Sequence, residues 1–143
     1  MKKISFFLPN LEGGGAEKVI ITLANKFKDM KYDVDLILVK NTGPYIALVQ
    51  RGVNIVDFKK KRSLFSFISL FFYLIKNKPD FLVTSHPHTS LIAAFCIFLN
   101  FKRTKLLSRM GNKFNITFDQ NKILNILNSF FIPFILKNSE KII

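Results

Sequence analysis

Residues 4–27 read ISFFLPNLEGGGAEKVIITLANKF. The stretch opens with an apolar run of strand length, hydrophobic on both sides, as strands are when a parallel sheet is covered on both faces. Three consecutive glycines follow. Without a Cβ they let the backbone bend sharply, reach positive φ and come close to another molecule. Beyond them Val19, Ile20, Leu23, Ala24 and Phe27 recur on one side of a helix, with Lys18, Lys26 and Lys28 elsewhere around it. A strand that leaves through glycines into an amphipathic helix is the start of a βα unit. The loop between them is either a bend or a cradle.

The same alternation continues along the chain. Further apolar runs at 34–39, 54–58, 81–84 and 105–108 read as strands, and helical patterns fall at 17–30, 45–50, 63–77, 89–100 and 121–138. Pro79, just past KNK, stops the third of these helices before a strand opens. Strand–helix alternation with short connections implies right-handed crossovers. The expected fold is α/β: a doubly wound, mostly parallel sheet with helices on both faces. After the last helical pattern, KNSEKII (137–143) begins another strand, and the sequence ends inside it, which suggests the leading part of a longer protein.

Composition narrows the class. At 143 residues the chain has the size of one domain, and 49% hydrophobic residues exclude a disordered chain. Lys and Arg number 22 against 9 Asp and Glu, a net charge of +13, which attracts phosphates, anionic lipid or nucleic acid. Nucleic acid is the weaker expectation, because the cations are scattered lysines and the one dense run is KKKR at 59–62. A single cysteine, Cys96, lies in the apolar stretch LIAAFCIFLNF and reads as a small buried hydrophobe. It allows no disulfide within the chain and fits a reducing compartment such as the cytosol. MKKISFFLPN has too short an apolar core for a signal peptide, and the longest apolar runs fall short of the roughly 18–20 residues that span a bilayer.

In open α/β sheets ligands bind beyond the carboxyl ends of the strands. Four loops stand there: PNLEGGGAE, NTGP, SHPHTS and RMGN. The first leads into a helix whose free N–H groups and positive dipole end would face an anion. It is not the dinucleotide fingerprint, since Lys18 stands where a third glycine is needed, and the Gly-Lys-Ser/Thr phosphate loop is absent too. A plain flexible turn is the other reading. His86 and His88 could face a ligand, or merely precede a helix capped by Thr89 or Ser90. No carboxylate or cysteine cluster joins them, so no metal site is expected. Arg109 could hold a phosphate or carboxylate through its fork of donors, or be a solvated surface residue.

LPNLEGGGAEKVIITLANKF (8–27), a Pro-Asp before a strand ending LVTSHPHTSLIAAF (82–95), and LLSRMGN (106–112) together resemble the N-terminal half of the family-4 glycosyltransferases, over the whole chain. The resemblance implies two facing Rossmann-like domains that transfer a sugar from a nucleotide sugar to an acceptor, with retention at the anomeric carbon. Residues 1–143 would be the N-terminal, acceptor-side domain, truncated, with the C-terminal donor-binding domain absent. Gly13, Gly14 and Gly15 would let the backbone approach the donor diphosphate, with Glu17 bracing the loop. His86 would stand near the transferred sugar as the catalytic residue, with His88 as second choice, and Arg109 would lie on the acceptor side. No cofactor is implied beyond the nucleotide sugar, which is a substrate. The acceptor would be a glycan or lipid-linked, as in cell-surface polysaccharide synthesis, and the 143 residues alone would be inactive.

Two other readings remain. One is a non-catalytic α/β phosphate- or nucleotide-binding module. A receiver-like version would need acidic residues where Pro9, Asn10 and Lys59 stand. The other is a peripheral membrane-interaction domain, suggested by KKKRSLFSFISLFFYLIK (59–76), although a buried crossover helix explains the same letters. The expected location is cytoplasmic or peripheral on the inner face of the cell membrane, with an anionic membrane surface, and no nucleic acid, among the expected partners.

Overall fold

The computed structural model describes residues 2–100, 103–108 and 139–142. In chain order these form β1 (Lys3–Leu8), α1 (Gly15–Asp29), β2 (Asp33–Leu38), a 3-10 turn (Pro44–Leu48), β3 (Asn54–Asp57), a second 3-10 turn (Ser63–Ser66), α2 (Phe67–Asn77), β4 (Phe81–Thr84), α3 (Pro87–Leu99), β5 (Lys105–Ser108) and β6 (Ser139–Ile142). The strands make one 6-stranded sheet in the order β3-β2-β1-β4-β5-β6. Every pairing is parallel. The doubly wound α/β fold expected from the sequence is present, and the strand expected in KNSEKII lies against β5.

Continuous apolar strands arise because each side chain has a layer to enter. Along β1 and β2, Ile4, Phe6, Leu8, Val34, Leu36 and Leu38 enter one layer, beside Ile20, Ile21 and Ala24 of α1. Phe7 and Ile37 enter the other, beside Leu70 and Leu74 of α2 and Ala93 and Ile97 of α3. The period of two across a strand thus feeds both cores at once. Cys96 is buried as expected, and burial pushes its thiol up to about 12.

Three helix expectations are corrected. The stretch at 45–50 is a 3-10 turn, Pro44–Leu48, rather than an α-helix. The stretch at 63–77 breaks into a 3-10 turn and then α2, joined at Ser66. The helix after β4 begins at Pro87, not at Thr89, because proline's fixed φ suits the first helical position and its missing N–H would have no partner there. The helix expected at 121–138 lies outside the described residues. Among the described residues no helix is long and apolar enough to cross a membrane.

Toward the amino ends of β1 and β2 sits a polar cluster that the sequence reading missed. The carboxylate of Asp35, buried in β2, accepts from Asn54 Nδ2 at 2.9 Å and from the Tyr73 hydroxyl, and it pairs with Lys3 Nζ at 2.9 Å. Ser5 Oγ lies 2.8 Å from the same tyrosine oxygen. Burial disfavours the Lys3 charge, but hydrogen bonds to Asp35 and Asp33 outweigh it and raise the lysine's pKa. The Tyr73 pKa is raised as well, first by burial and then by Asp35. A buried carboxylate is tolerated only when its lone pairs are filled in this way.

Candidate functional site

Strands β1 and β4 are parallel neighbours at the centre of the sheet. From β1 the chain winds outward to β2 and β3, and from β4 it winds the opposite way to β5 and β6. The connections leaving the carboxyl ends of β1 and β4 therefore diverge, and a crevice opens at that reversal. The glycine loop forms one wall and the His86 turn the other.

The glycine loop is fixed by the turn after β2. Leu11 N–H donates to the Thr42 carbonyl at 2.9 Å, and Tyr45 N–H donates to the Leu11 carbonyl at 3.1 Å. This contact exists because residue 43 is glycine. Gly43 has φ +114°, and a Cβ there would stand 2.1 Å from the Leu11 carbonyl carbon. Gly13 also needs its freedom, with φ +115°. Gly14 is extended and serves differently: a Cβ would meet Glu17 Oε2 at 2.4 Å, so its absence makes room for the carboxylate. Gly15 opens α1 with nothing near the place of its missing side chain.

Glu17 lies in the first turn of α1, where the helix dipole favours a negative charge. Its Oε1 is 3.3 Å from Nε2 of His86, an ion pair whenever the imidazole is protonated. Nδ1 of His86 lies 3.1 Å from Ser85 Oγ. The side chains of His86 and Glu17 are 25% and 13% exposed, so the contact is half-sheltered at the mouth of the crevice. His88 stands beside it, ring centroids 5.6 Å apart. Although His88 is exposed, desolvation of its ring first and the neighbouring His86 second lower its pKa. Of the residues singled out in the sequence, the structure thus gathers Gly14, Glu17, His86 and His88. Arg109 lies outside the described residues.

Behind His86 runs a buried chain of hydroxyls. Thr89 and Ser90 donate to the His86 carbonyl at 3.0 and 2.9 Å. Ser90 Oγ is also 2.7 Å from both Thr84 Oγ1 and Ser108 Oγ. A hydroxyl has one proton and two lone pairs. With its proton on the His86 carbonyl, Ser90 accepts from both partners and ties the ends of β4 and β5 to the histidine turn. The sequence signal was a hydroxyl residue at the last position of each of two apolar strands, Thr84 and Ser108. Among the described residues no group of three or more His, Cys, Asp or Glu is placed to hold a metal ion.

The chain is similar to MurG from Acinetobacter baumannii, with a TM-score of 0.64 at 12% identity over 99% of this chain and 40% of that one. A glycosyltransferase from Rickettsia africae matches with a TM-score of 0.63 at 19% identity, over 92% of this chain and 35% of that one. The fold is that of the two-domain Rossmann-like glycosyltransferases. A putative UDP-N-acetylglucosamine 2-epimerase from Listeria monocytogenes shares this glycosyltransferase-type fold, with a TM-score of 0.63 at 10% identity over 99% of this chain and 38% of that one. No protein-family model and no curated protein matches the sequence. The chain thus spans 40% or less of each of these three glycosyltransferase-fold structures.

Proposed function

We propose that the chain is the N-terminal, acceptor-side part of a glycosyltransferase that moves a sugar from a nucleotide sugar to a glycan or lipid-linked acceptor. The observation that carries this reading is the meeting of His86 with Glu17 at the mouth of the glycine loop, where the two halves of the sheet diverge. The first N–H groups of α1 have no acceptor within the helix, and Gly14 offers no side chain to cap them. A donor diphosphate gains negative charge as its sugar leaves, and fixed N–H dipoles beside a histidine stabilise such charge best where water is scarce. Glu17 keeps the imidazole turned toward the loop. Retention at the anomeric carbon follows from the motif resemblance, as do the cytoplasmic or inner-membrane setting and the separate donor-binding domain. The nucleotide sugar is a substrate in this scheme, and no further cofactor takes part.

The test is His86→Ala in the full-length enzyme, with donor turnover and the anomeric configuration of the product followed by NMR. A positioned acid, base or charge stabiliser contributes about 10²-fold or more. We expect kcat to fall by at least about that factor and the product to keep the donor's configuration. Turnover within about threefold of the unsubstituted enzyme removes His86 from the chemistry.

A further inference from the structure

Helix α2 is apolar on two opposite sides. Leu70, Tyr73 and Leu74 are buried against the sheet. On the outer side Phe65 of the preceding 3-10 turn and Ile68 and Phe72 of α2 recur at intervals of three and four and are 61%, 64% and 63% exposed, with Leu64 of the turn and Ile75 of the helix exposed beside them. The tilted ring contact of Phe67 with Phe95, centroids 5.4 Å apart, carries the apolar surface on toward α3. Cations stand at both ends of the stripe: Lys59, Lys61 and Arg62 before it, Lys76 and Lys78 after it, all exposed. From residue 58 to residue 79 the sequence contains no Asp or Glu.

We propose that this outer face of α2 is a docking surface for an anionic lipid bilayer, with the helix lying in the plane of the interface. Large apolar side chains gathered on one exposed face, rather than scattered singly, mark an interaction site. At about 1.5 Å per residue the 11 residues of α2 are far too short for the roughly 30 Å hydrocarbon layer. An in-plane helix instead sinks its apolar side below the headgroups and keeps its cations among them, the lysine stems lying along the apolar surface. Charge selects the occupant. A second copy of the chain docked through this face would set one basic rim against another, whereas anionic headgroups neutralise both ends at once.

The inference rests on the peripheral location proposed above, but it is read without any sugar donor, so either can fail while the other stands. The experiment is co-sedimentation of the 143-residue chain with phosphatidylcholine vesicles and with vesicles of which about a third is phosphatidylglycerol, at low and high salt. The chain should pellet with the anionic vesicles only, and less in high salt. F65S/F72S should lower partitioning by about tenfold or more, because two buried aromatic rings are lost. K59Q/K61Q should lower it by about fivefold for each lysine. The charge-matched K26Q/K31Q, with both lysines on the α1 side of the sheet, should stay within about twofold. Circular dichroism checks that each variant is folded, and the lysine pair decides the matter should the serine variant not be. Absence of anionic-vesicle binding overturns the proposal, as does equal loss from both lysine pairs. A dimer dispersed by F65S/F72S overturns it too, because the face then belongs to a second copy.

Discussion

The imidazole of His86 has a partner at each nitrogen, Glu17 at Nε2 and Ser85 at Nδ1. In the neutral ring one nitrogen donates and the other accepts, so a carboxylate at Nε2 selects the tautomer with its proton there and leaves Nδ1 to accept from the serine. Glycine at position 14 leaves the room that lets Glu17 reach the ring. His88 has the opposite environment, since its surroundings and the nearby His86 favour the neutral form. The sign of the pH effect follows. Below the ordinary value of 6.5 the unfolded chain binds this proton more readily than the folded one, so stability should fall as pH drops through that region and should be unaffected above it. Urea midpoints at about pH 7.5 and about pH 5.5 measure it against the reference histidine pKa. The unsubstituted chain should lose more stability on acidification than His88→Gln, and equal losses would show that His88 is not the group responsible.

At the level of elements, the glycine loop owes its shape to a neighbour. The turn after β2 grips Leu11 on both sides, and Gly43 makes the grip possible through its positive φ and its missing Cβ. Gly43→Ala should therefore destabilise the fold by about 2–3 kcal/mol, read as a lower denaturant midpoint with an unchanged slope. A loss below about 0.5 kcal/mol would mean that the two turns are not coupled in this way. This contact also marks the boundary of what the sequence discloses. Strands were legible because burial on both faces leaves unbroken apolar runs, and α1 because its stripe is one-sided. The break at Ser66 was not, since a 3-10 turn and an α-helix share nearly the same spacing over one turn. The site was legible only in part: the glycines and His86 could be singled out from their place after strands, whereas Glu17's contact with His86 and the Thr84–Ser90–Ser108 chain depend on pairing distant segments. The Asp35 cluster was hidden for a related reason. A lone acid inside an apolar strand acquires its meaning only once Lys3, Tyr73 and Asn54 are brought around it.

Over the whole molecule the sheet is a gradient of protection. Strands β1, β2 and β4 have a partner on each side and a helical layer on each face, while β3 ends the order on one side and holds no fully buried residue. Amide hydrogen exchange should accordingly be slowest in β1, β2 and β4 and faster in β3, because edges open in smaller fluctuations than the centre does. Protection of β3 equal to that of β1 would contradict the layered core described above. The order of the strands also sets a timetable. The central pair joins Ile4 to Phe81, and Lys3 N–H donates to Asp80 across a separation of 77 positions. During synthesis the first three strands can assemble as a unit, but β1 keeps one bare flank until β4 has left the ribosome. The glycine loop and His86 belong to opposite sides of that seam. The crevice is thus the last thing the described sheet makes at its centre, and a nascent chain halted before Phe81 carries the loop with nothing across from it.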